Sequence, residues 1–171
     1  MTHNITRIFF FLFLLIVSKS EILKGQDSSK VAIKNSIFVT ADYVVGGLGN
    51  LGGSINYEIS LFKSRAFLGA GFALYQREVK AISVELNYLC FKKKHHLEAG
   101  LAYRHIFNPQ NTGELYSINL GYKYANLSKR SMNFKIGISP GIAQQKRIVR
   151  NVEKNEYYFL PRIYIGLGYS F

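Results

Sequence analysis

The chain has 171 residues, a formal net charge of +12 and a hydrophobic fraction of 48%. That length suits one domain with a filled interior and is too short for two such domains. Its single cysteine, Cys90, cannot form an intramolecular disulfide, which excludes a small disulfide-stapled secreted domain.

The beginning of the chain is typical of an export signal. An arginine precedes an uncharged apolar run from Ile8 to Val17, about half the length that a helix needs to cross a bilayer. Small residues predict cleavage after Ser20, with cleavage after Gly25 as the alternative. We therefore expect residues 1–20 to be a cleaved secretory signal peptide and residues 21–35 to be a polar periplasmic lead-in.

Segments of alternating polarity, separated by turn-forming residues, fill the rest of the chain. Each is long enough to cross a bilayer as a tilted strand, and none after the signal has the roughly 18 apolar residues of a spanning helix. The pattern predicts an all-β protein in which residues 36–171 form an eight-stranded antiparallel up-and-down transmembrane β-barrel. The predicted strands are Ser36–Val45, Ser54–Phe62, Ala66–Tyr75, Ala81–Phe91, His96–Phe107, Leu115–Ala125, Met132–Ile142 and Tyr158–Phe171.

The charges within the strands indicate which face points to lipid. A soluble lipocalin-like barrel would turn its apolar face inward and its polar face to water. Here the less apolar face is rich in glycine, alanine and serine, which suits a crowded interior. Charges facing lipid would each cost about 2–4 kcal/mol near the bilayer midplane, so we expect this face to line the lumen. Four acidic and four basic residues lie on it and predict an ion-pair network: Asp42, Glu58, Glu85, Glu98, Arg104, Lys123, Lys135 and Arg162.

The remaining positive charge is concentrated at one end of the predicted barrel. If the N-terminus is periplasmic, the short turns at the same end are periplasmic too, and phospholipid phosphates are the natural counter-ions. This distribution argues against nucleic acid as the partner, despite a pI of about 9.8. The turns carry Lys63, Arg65, Lys92, Lys93, Lys94, Lys129 and Arg130.

The opposite end is predicted to hold the outer loops. The longest, Ala143 to Tyr157, is the candidate surface loop for recognition. Pro140 and Pro161 fall inside predicted strands and cannot donate ladder hydrogen bonds, so we expect a bulge or frayed rim there. The candidate loop residues are Lys146, Arg147, Arg150 and Lys154; the expected interfacial aromatic residues are Tyr43, Tyr57, Phe107, Tyr116, Tyr124, Tyr169 and Phe171.

Motifs for cofactors and metals are weak. Gly47, Gly49 and Gly52 fit a dinucleotide-binding spacing, but an alternating strand follows them instead of a helix, which favours a hairpin loop. His95 and His96 lack a third ligand, and we expect them in a solvated turn. The sequence therefore predicts no cofactor and no metal.

Candidates for catalysis are also weak. Outer-membrane lipid-modifying enzymes need a serine or histidine with an acid at the outer rim, and Ser139 and His105 are the nearest residues. No compact motif links them, and Cys90 has no histidine partner. The sequence favours a non-catalytic protein.

The last strand resembles an assembly signal. Ile163, Ile165, Leu167, Tyr169 and Phe171 occupy every second place, and an aromatic residue ends the chain. This ending resembles the signal by which outer-membrane barrels of Gram-negative bacteria are recognised, so Tyr169 and Phe171 imply the barrel-assembly machinery as a partner during insertion.

A wider resemblance rests on Ser54–Glu58, Leu86–Leu89, Lys93–Gly100 and Ile165–Phe171. With these segments the chain resembles a family of small eight-stranded outer-membrane β-barrel proteins, similar to OmpX and the OmpA barrel. The resemblance implies an integral outer-membrane protein in contact with lipid and lipopolysaccharide, and it brings no catalytic residues.

Eight strands enclose an interior just wide enough for side chains to fill. We therefore expect a monomeric, non-catalytic barrel with a structural or surface-interaction role and both termini in the periplasm. A narrow channel for small solutes or protons is the first alternative, and it needs hydrated lumen charges. A lipid-modifying enzyme is the second.

Overall fold

The structure is a computed structural model that describes residues 35–46, 51–61, 65–90, 94–108, 111–126, 130–149 and 152–171. The predicted signal peptide at residues 1–20 lies outside the described residues, as does the lead-in apart from Asn35. Gly47, Gly49 and Arg150 lie outside them as well, and so do the side chains of Arg147 and Lys154.

The described residues form antiparallel strands whose side chains alternate between two faces. In β1, Ser36, Phe38 and Thr40 are buried, while Ile37 and Val39 between them are exposed. The strands are β1 (Asn35–Val44), β2 (Leu51–Leu61), β3 (Ala66–Tyr75), β4 (Lys80–Cys90), β5 (His95–Asn108), β6 (Asn111–Tyr124), β7 (Ser131–Ser139), β8 (Gly141–Val149), β9 (Val152–Phe159) and β10 (Arg162–Ser170).

Eight of these strands close into a ring. Each strand from β1 to β6 pairs with the next one along the chain, and β10 pairs with both β7 and β1. The sheet is therefore continuous around the lumen, and the predicted eight-stranded antiparallel barrel is confirmed. In the described part of the chain, no helix is long and apolar enough to cross a membrane.

The other two strands, β8 and β9, continue β7 and β10 beyond two proline breaks. Pro140 separates β7 from β8, and Leu160 with Pro161 separates β9 from β10. Proline has no N–H for the ladder, so each strand is interrupted there, but the register is the same on both sides of each break. Beyond Pro140, β6 leaves β7 and pairs with β8, and β8 in turn pairs with β9.

The prediction that Ala143 to Tyr157 form a loop is therefore wrong. Most of this segment is the β8–β9 hairpin, with Lys146 exposed on β8 and Arg147 opposite Lys154 in register. Residues 155–159, the part of β9 whose side chains the structure describes, are all exposed or half-buried, with no alternation. This part of the hairpin thus lacks the alternating pattern by which strands are recognised in a sequence.

The barrel has two distinguishable ends. The terminal end holds Asn35 and Phe171, which are joined by a hydrogen bond from the Phe171 N–H to the Asn35 carbonyl at 3.0 Å. The hairpin end holds the β8–β9 hairpin together with the far ends of β5 and β6, the longest strands at 14 residues each.

Candidate functional site

The lumen holds all eight charged side chains that were predicted to line it. Each is at most 6% exposed: Asp42, Glu58, Glu85, Glu98, Arg104, Lys123, Lys135 and Arg162. The even-numbered residues of β1, β2, β5 and β10 point inward, as do the odd-numbered residues of β4, β6 and β7. The parity of each strand therefore accounts for all eight charges. The structure separates these eight residues into two groups.

The first group, the arginine ring, consists of Asp42, Glu85, Arg104 and Arg162. Arg104 lies 2.9 Å from Glu85 and 4.0 Å from Asp42, while Arg162 lies 3.1 Å from Asp42 and 3.8 Å from Glu85. Tyr75 joins the ring, because its hydroxyl accepts a hydrogen bond from Arg104 at 2.8 Å. Each charge in the ring thus faces two charges of opposite sign.

The second group, the lysine cluster, consists of Glu58, Glu98, Lys123 and Lys135. The two lysines lie directly opposite each other on β6 and β7, where like charges repel. Glu58 on β2 contacts both, at 2.6 Å from Lys123 and 3.1 Å from Lys135. One carboxylate therefore neutralises the repulsion of the lysine pair.

Aromatic rings complete the surroundings of the lysines. The Lys123 Nζ lies 4.3 Å from the ring centroid of Phe67 and 4.8 Å from that of Phe38, and the Lys135 Nζ lies 4.5 Å from that of Phe38. Desolvated contacts of this kind each stabilise a cation by about 2 kcal/mol. The sequence analysis did not identify Phe38 and Phe67 as lumen residues; the signal was their position on the same parity as the inward polar residues.

Glu98 differs from the other lumen carboxylates. Its Oε1 accepts a hydrogen bond from the Tyr164 hydroxyl at 3.4 Å, whereas its buried Oε2 has no hydrogen-bond partner among the described residues. In the described ranges of the chain, ion pairs within 4.0 Å join the other seven charges and leave Glu98 out. The predicted network thus has one carboxylate that the structure places in the lumen without an ion pair.

Tyr164 stands between the two groups, and two glycines make room for it. Its ring centroid lies 4.7 Å from Arg162 of the arginine ring and 6.0 Å from Lys135 of the lysine cluster. A Cβ built on Gly137 would lie 2.5 Å from the Tyr164 hydroxyl, and one on Gly121 would lie 2.8 Å from it. Inward glycines therefore let a large side chain fill the barrel at this level.

Neutral polar side chains link the strands on the same face. Asn119 donates hydrogen bonds to Asn87 at 3.1 Å and to Glu85 at 3.3 Å, and it accepts one from Ser139 at 2.7 Å. Ser139, a candidate nucleophile, is buried in the lumen, whereas His105 is half-buried on the outer face and packs on Phe107 at 4.6 Å. The barrel wall separates the two catalytic candidates.

A cluster of buried apolar side chains, the apolar plug, lies toward the hairpin end of the barrel. Val44, Leu115, Ala143 and Leu160 form one buried cluster, against which Tyr75 and Ile106 pack. Val44 pairs in register with Arg162, and Leu115 pairs with Arg104, so the plug lies directly against the arginine ring. The interior is therefore apolar at the hairpin end and charged below it.

The outer face is an almost continuous apolar belt. Val39, Ile55, Met132 and Leu167 are each at least 60% exposed. Of the predicted interfacial aromatic residues, Tyr43 and Phe107 lie outward toward the hairpin end, and Tyr57, Tyr124, Tyr169 and Phe171 lie outward toward the terminal end. Tyr116 also faces outward, with its hydroxyl donating to Glu114 at 2.8 Å.

The adjacent histidines lie on opposite faces of β5. His95 is exposed on the outer face, whereas His96 is 1% exposed and its Nε2 lies 3.2 Å from the Ala125 carbonyl oxygen. The expected solvated turn is therefore wrong for His96, because both histidines belong to β5 and His96 points inward with the other even-numbered residues of that strand. Cys90 is exposed at the terminal end of β4.

Comparisons with known proteins add little to this description. No protein-family model and no curated protein matches the chain. The chain is similar to the solved N-terminal β-barrel domain of Pseudomonas aeruginosa OprF at 17% identity, covering 82% of this chain and 98% of that one, with a TM-score of 0.44. At that level the likeness supports no inference about function, and membership of the OmpX-like family stays a prediction.

Proposed function

We propose that this chain is an integral outer-membrane β-barrel with a filled lumen, a structural or surface-interaction role and no catalytic activity. The observation that carries the proposal is the reversed polarity of the barrel, whose charges are buried inside while its large apolar side chains are exposed outside. Both termini are proposed to be periplasmic, so that the β8–β9 hairpin projects from the cell surface. Lipid and lipopolysaccharide are the proposed partners of a monomer.

Burial energetics support the membrane as the surrounding medium. A soluble monomer rarely exposes a contiguous apolar patch larger than a few hundred Å². Here exposed apolar residues occur on every strand of the ring, among them Ile55, Leu68, Ile82, Leu97 and Ile118. Hydrocarbon is the solvent in which such a surface is stable, and a closed sheet is one of the two structures that satisfy its backbone there.

The filled lumen supports a structural role over a diffusion pore. Phe38, Phe67 and Tyr164 are at most 3% exposed and occupy the space between the charged groups. The plug of Val44, Leu115, Ala143 and Leu160 adds buried apolar volume at the hairpin end. The tip of the β8–β9 hairpin is the part proposed to contact a surface partner.

Expression of the full chain in a Gram-negative host tests the location. We expect the protein in the outer-membrane fraction, with faster gel migration before boiling than after it, as a barrel that resists detergent shows. A protease site inserted between residues 150 and 151 is expected to be cut in intact cells if the hairpin is outside. A protein that stays monodisperse in buffer without detergent would refute the membrane assignment, and a site that is protected in intact cells would reverse the orientation.

Planar-bilayer recordings test the filled lumen. The wild-type barrel is expected to give no sustained single-channel conductance, whereas a Leu115→Ala/Leu160→Ala variant is expected to conduct more often because it loses plug volume. Ile163→Ala, on the exposed belt, is the matched control and is expected to stay silent. Sustained conductance of the pure wild-type protein would favour the alternative of a narrow channel.

Incubation with lipid A or phospholipid tests the enzyme alternative. Unaltered acyl chains are expected, because Ser139 and His105 lie on opposite sides of the barrel wall.

Tyr169 and Phe171 are 45% and 41% exposed on the outer face, and their role in recognition by the barrel-assembly machinery stays a prediction. Slower insertion of a Phe171→Ala variant, with unchanged stability once it is folded, would support that role.

A further inference from the structure

We propose that Lys94, His95, Tyr122 and Tyr124 form an interfacial site for the phosphate of an anionic phospholipid, at the terminal end of the barrel wall. The inference rests on the proposed membrane location and adds a defined lipid contact to it. It starts from an arrangement on the outer face of β5 and β6 that the lumen and the plug do not explain.

The site is built around one exposed histidine. The His95 Nδ1 lies 2.5 Å from the Tyr122 hydroxyl, and the His95 ring lies edge-on to that of Tyr124 at 5.2 Å between centroids. His95 itself is exposed on the outer face. Lys94 is exposed next to it, with its carbonyl oxygen held by the Ala125 N–H at 2.9 Å. An imidazole and a phenol thus meet on the outer face at the start of β5, and an exposed lysine directly precedes them in the chain.

Charge at this end is one-sided. Among the described residues, the acidic side chains that are not buried, Glu78, Glu114 and Glu156, all belong to the hairpin end. Those nearest to His95 along the strands, Glu58 and Glu98, point into the lumen and are at most 3% exposed. The positive charge of Lys94 is therefore not balanced by the described part of the protein, and an anion is the complementary ligand.

The neighbouring surface identifies the anion as part of a lipid. Leu97 pairs in register with Tyr122 and is 53% exposed, and Leu120, the next outward residue on β6, is 45% exposed. A ligand at His95 thus has its polar group among donors and the apolar belt immediately beside it. A phospholipid phosphate lies at this boundary in a bilayer, and tyrosine side chains favour the same depth. An anionic headgroup suits the site better than a zwitterionic one, whose own ammonium group would face Lys94.

The chain contains no tryptophan, so the fluorescence of a single introduced tryptophan reports on the lipid at that one position. Leu97→Trp places the reporter beside the site, and Ile142→Trp places it on the outer face near the hairpin end, where Ile142 is 53% exposed. Each protein is reconstituted in phosphatidylcholine vesicles that contain brominated phosphatidylglycerol or, in parallel, brominated phosphatidylcholine. The ratio of the two quenching efficiencies gives the relative occupancy of the anionic lipid at the reporter.

We expect Leu97→Trp to be quenched several-fold more effectively by the brominated anionic lipid, and Ile142→Trp to be quenched equally by both lipids. Adding Lys94→Ala to the Leu97→Trp protein is expected to reduce the preference by about fivefold, the usual contribution of one lysine at a lipid surface. Adding His95→Ala is expected to reduce it as well. Arg65→Ala, at another turn of the same end, is the matched control and should leave most of the preference in place.

Equal quenching of Leu97→Trp by both lipids would overturn the proposal. An equal loss in Arg65→Ala and Lys94→Ala would also overturn it, because the preference would then reflect general surface charge. Loss of the preference when chloride is replaced by inorganic phosphate at the same ionic strength would assign the donors to free phosphate instead. Failure of the membrane assignment itself would appear separately, as protein that does not float with the vesicles.

Discussion

The arginine ring and the lysine cluster occupy the same lumen and solve the burial of charge differently. In the ring, each of the two carboxylates lies within 4.0 Å of both guanidinium groups, so each charge has a second partner. In the lysine cluster, Glu58 alone contacts both lysines, and aromatic faces supply the rest of their surroundings. An equal number of opposite charges in the two groups therefore does not give each charge an equal number of partners.

Glu58→Gln is expected to have the largest effect, since it leaves two buried lysines opposite each other without a counter-charge. We expect the free energy of unfolding to fall by about 3–5 kcal/mol, the usual cost of removing one partner of a buried pair. Urea titration of the barrel in lipid vesicles, followed by gel migration without boiling, measures it. Asp42→Asn is the matched control and should cost less, because Arg104 and Arg162 still contact Glu85. Equal losses in the two variants would refute the difference in redundancy.

Gly137→Ala disturbs the boundary between the two groups. Its Cβ would lie 2.5 Å from both the Tyr164 hydroxyl and the Leu120 carbonyl oxygen, so both Tyr164 and the backbone of β6 must move. Overpacking of this kind costs about 1–3 kcal/mol. The same titration measures the effect, with Gly53→Ala as the control, because the nearest atom there is the Thr40 carbonyl oxygen at 3.4 Å. A destabilisation as large in Gly53→Ala would show that the loss comes from replacing a strand glycine by alanine and not from overpacking around Tyr164.

Glu98→Gln is expected to have the smallest effect. The Tyr164 hydroxyl can still donate to the amide oxygen, and the change removes a buried charge that lacks an ion pair in the described part of the chain. We expect the free energy of unfolding to change by less than about 1 kcal/mol. A loss similar to that of Glu58→Gln, in the same titration, would mean that Glu98 is a second counter-charge of the lysines and that the two groups are alike.

Strand parity predicts which side chains face the lumen, but it does not predict which of those side chains contact one another. Parity predicts that Glu58, Glu98 and Lys123 share the inward face, because side chains alternate along each strand. Which of them meet depends on the register around a closed ring: the ladder places Gly121 opposite Glu98, whereas Glu58 reaches Lys123 across the lumen. Phe38 was missed for a related reason, since Ile37 and Val39 on either side of it hide the alternation.

Strand parity did not predict the two strands of the β8–β9 hairpin. Leu160 and Ala143 are buried in the plug, yet the residues between them on the β8–β9 hairpin have no apolar face by which to predict strands. Two prolines lie at its base, where a bulge or frayed rim was expected; that expectation is wrong, because the pairing keeps its register across both. A proline in a predicted strand does not tell whether a loop or a further hairpin follows.

The separation in sequence between the charged partners has a consequence for the order of assembly. Glu58 is 65 residues from Lys123 and 77 from Lys135, and Asp42 is 120 residues from Arg162. A nascent sheet that lacked its last strands would hold Asp42 without Arg162, and one that lacked β6 and β7 would hold Glu58 without either lysine. Each strand that is added therefore stabilises the sheet little until β1 pairs with β10. Closure of the barrel is expected to be a late, cooperative step.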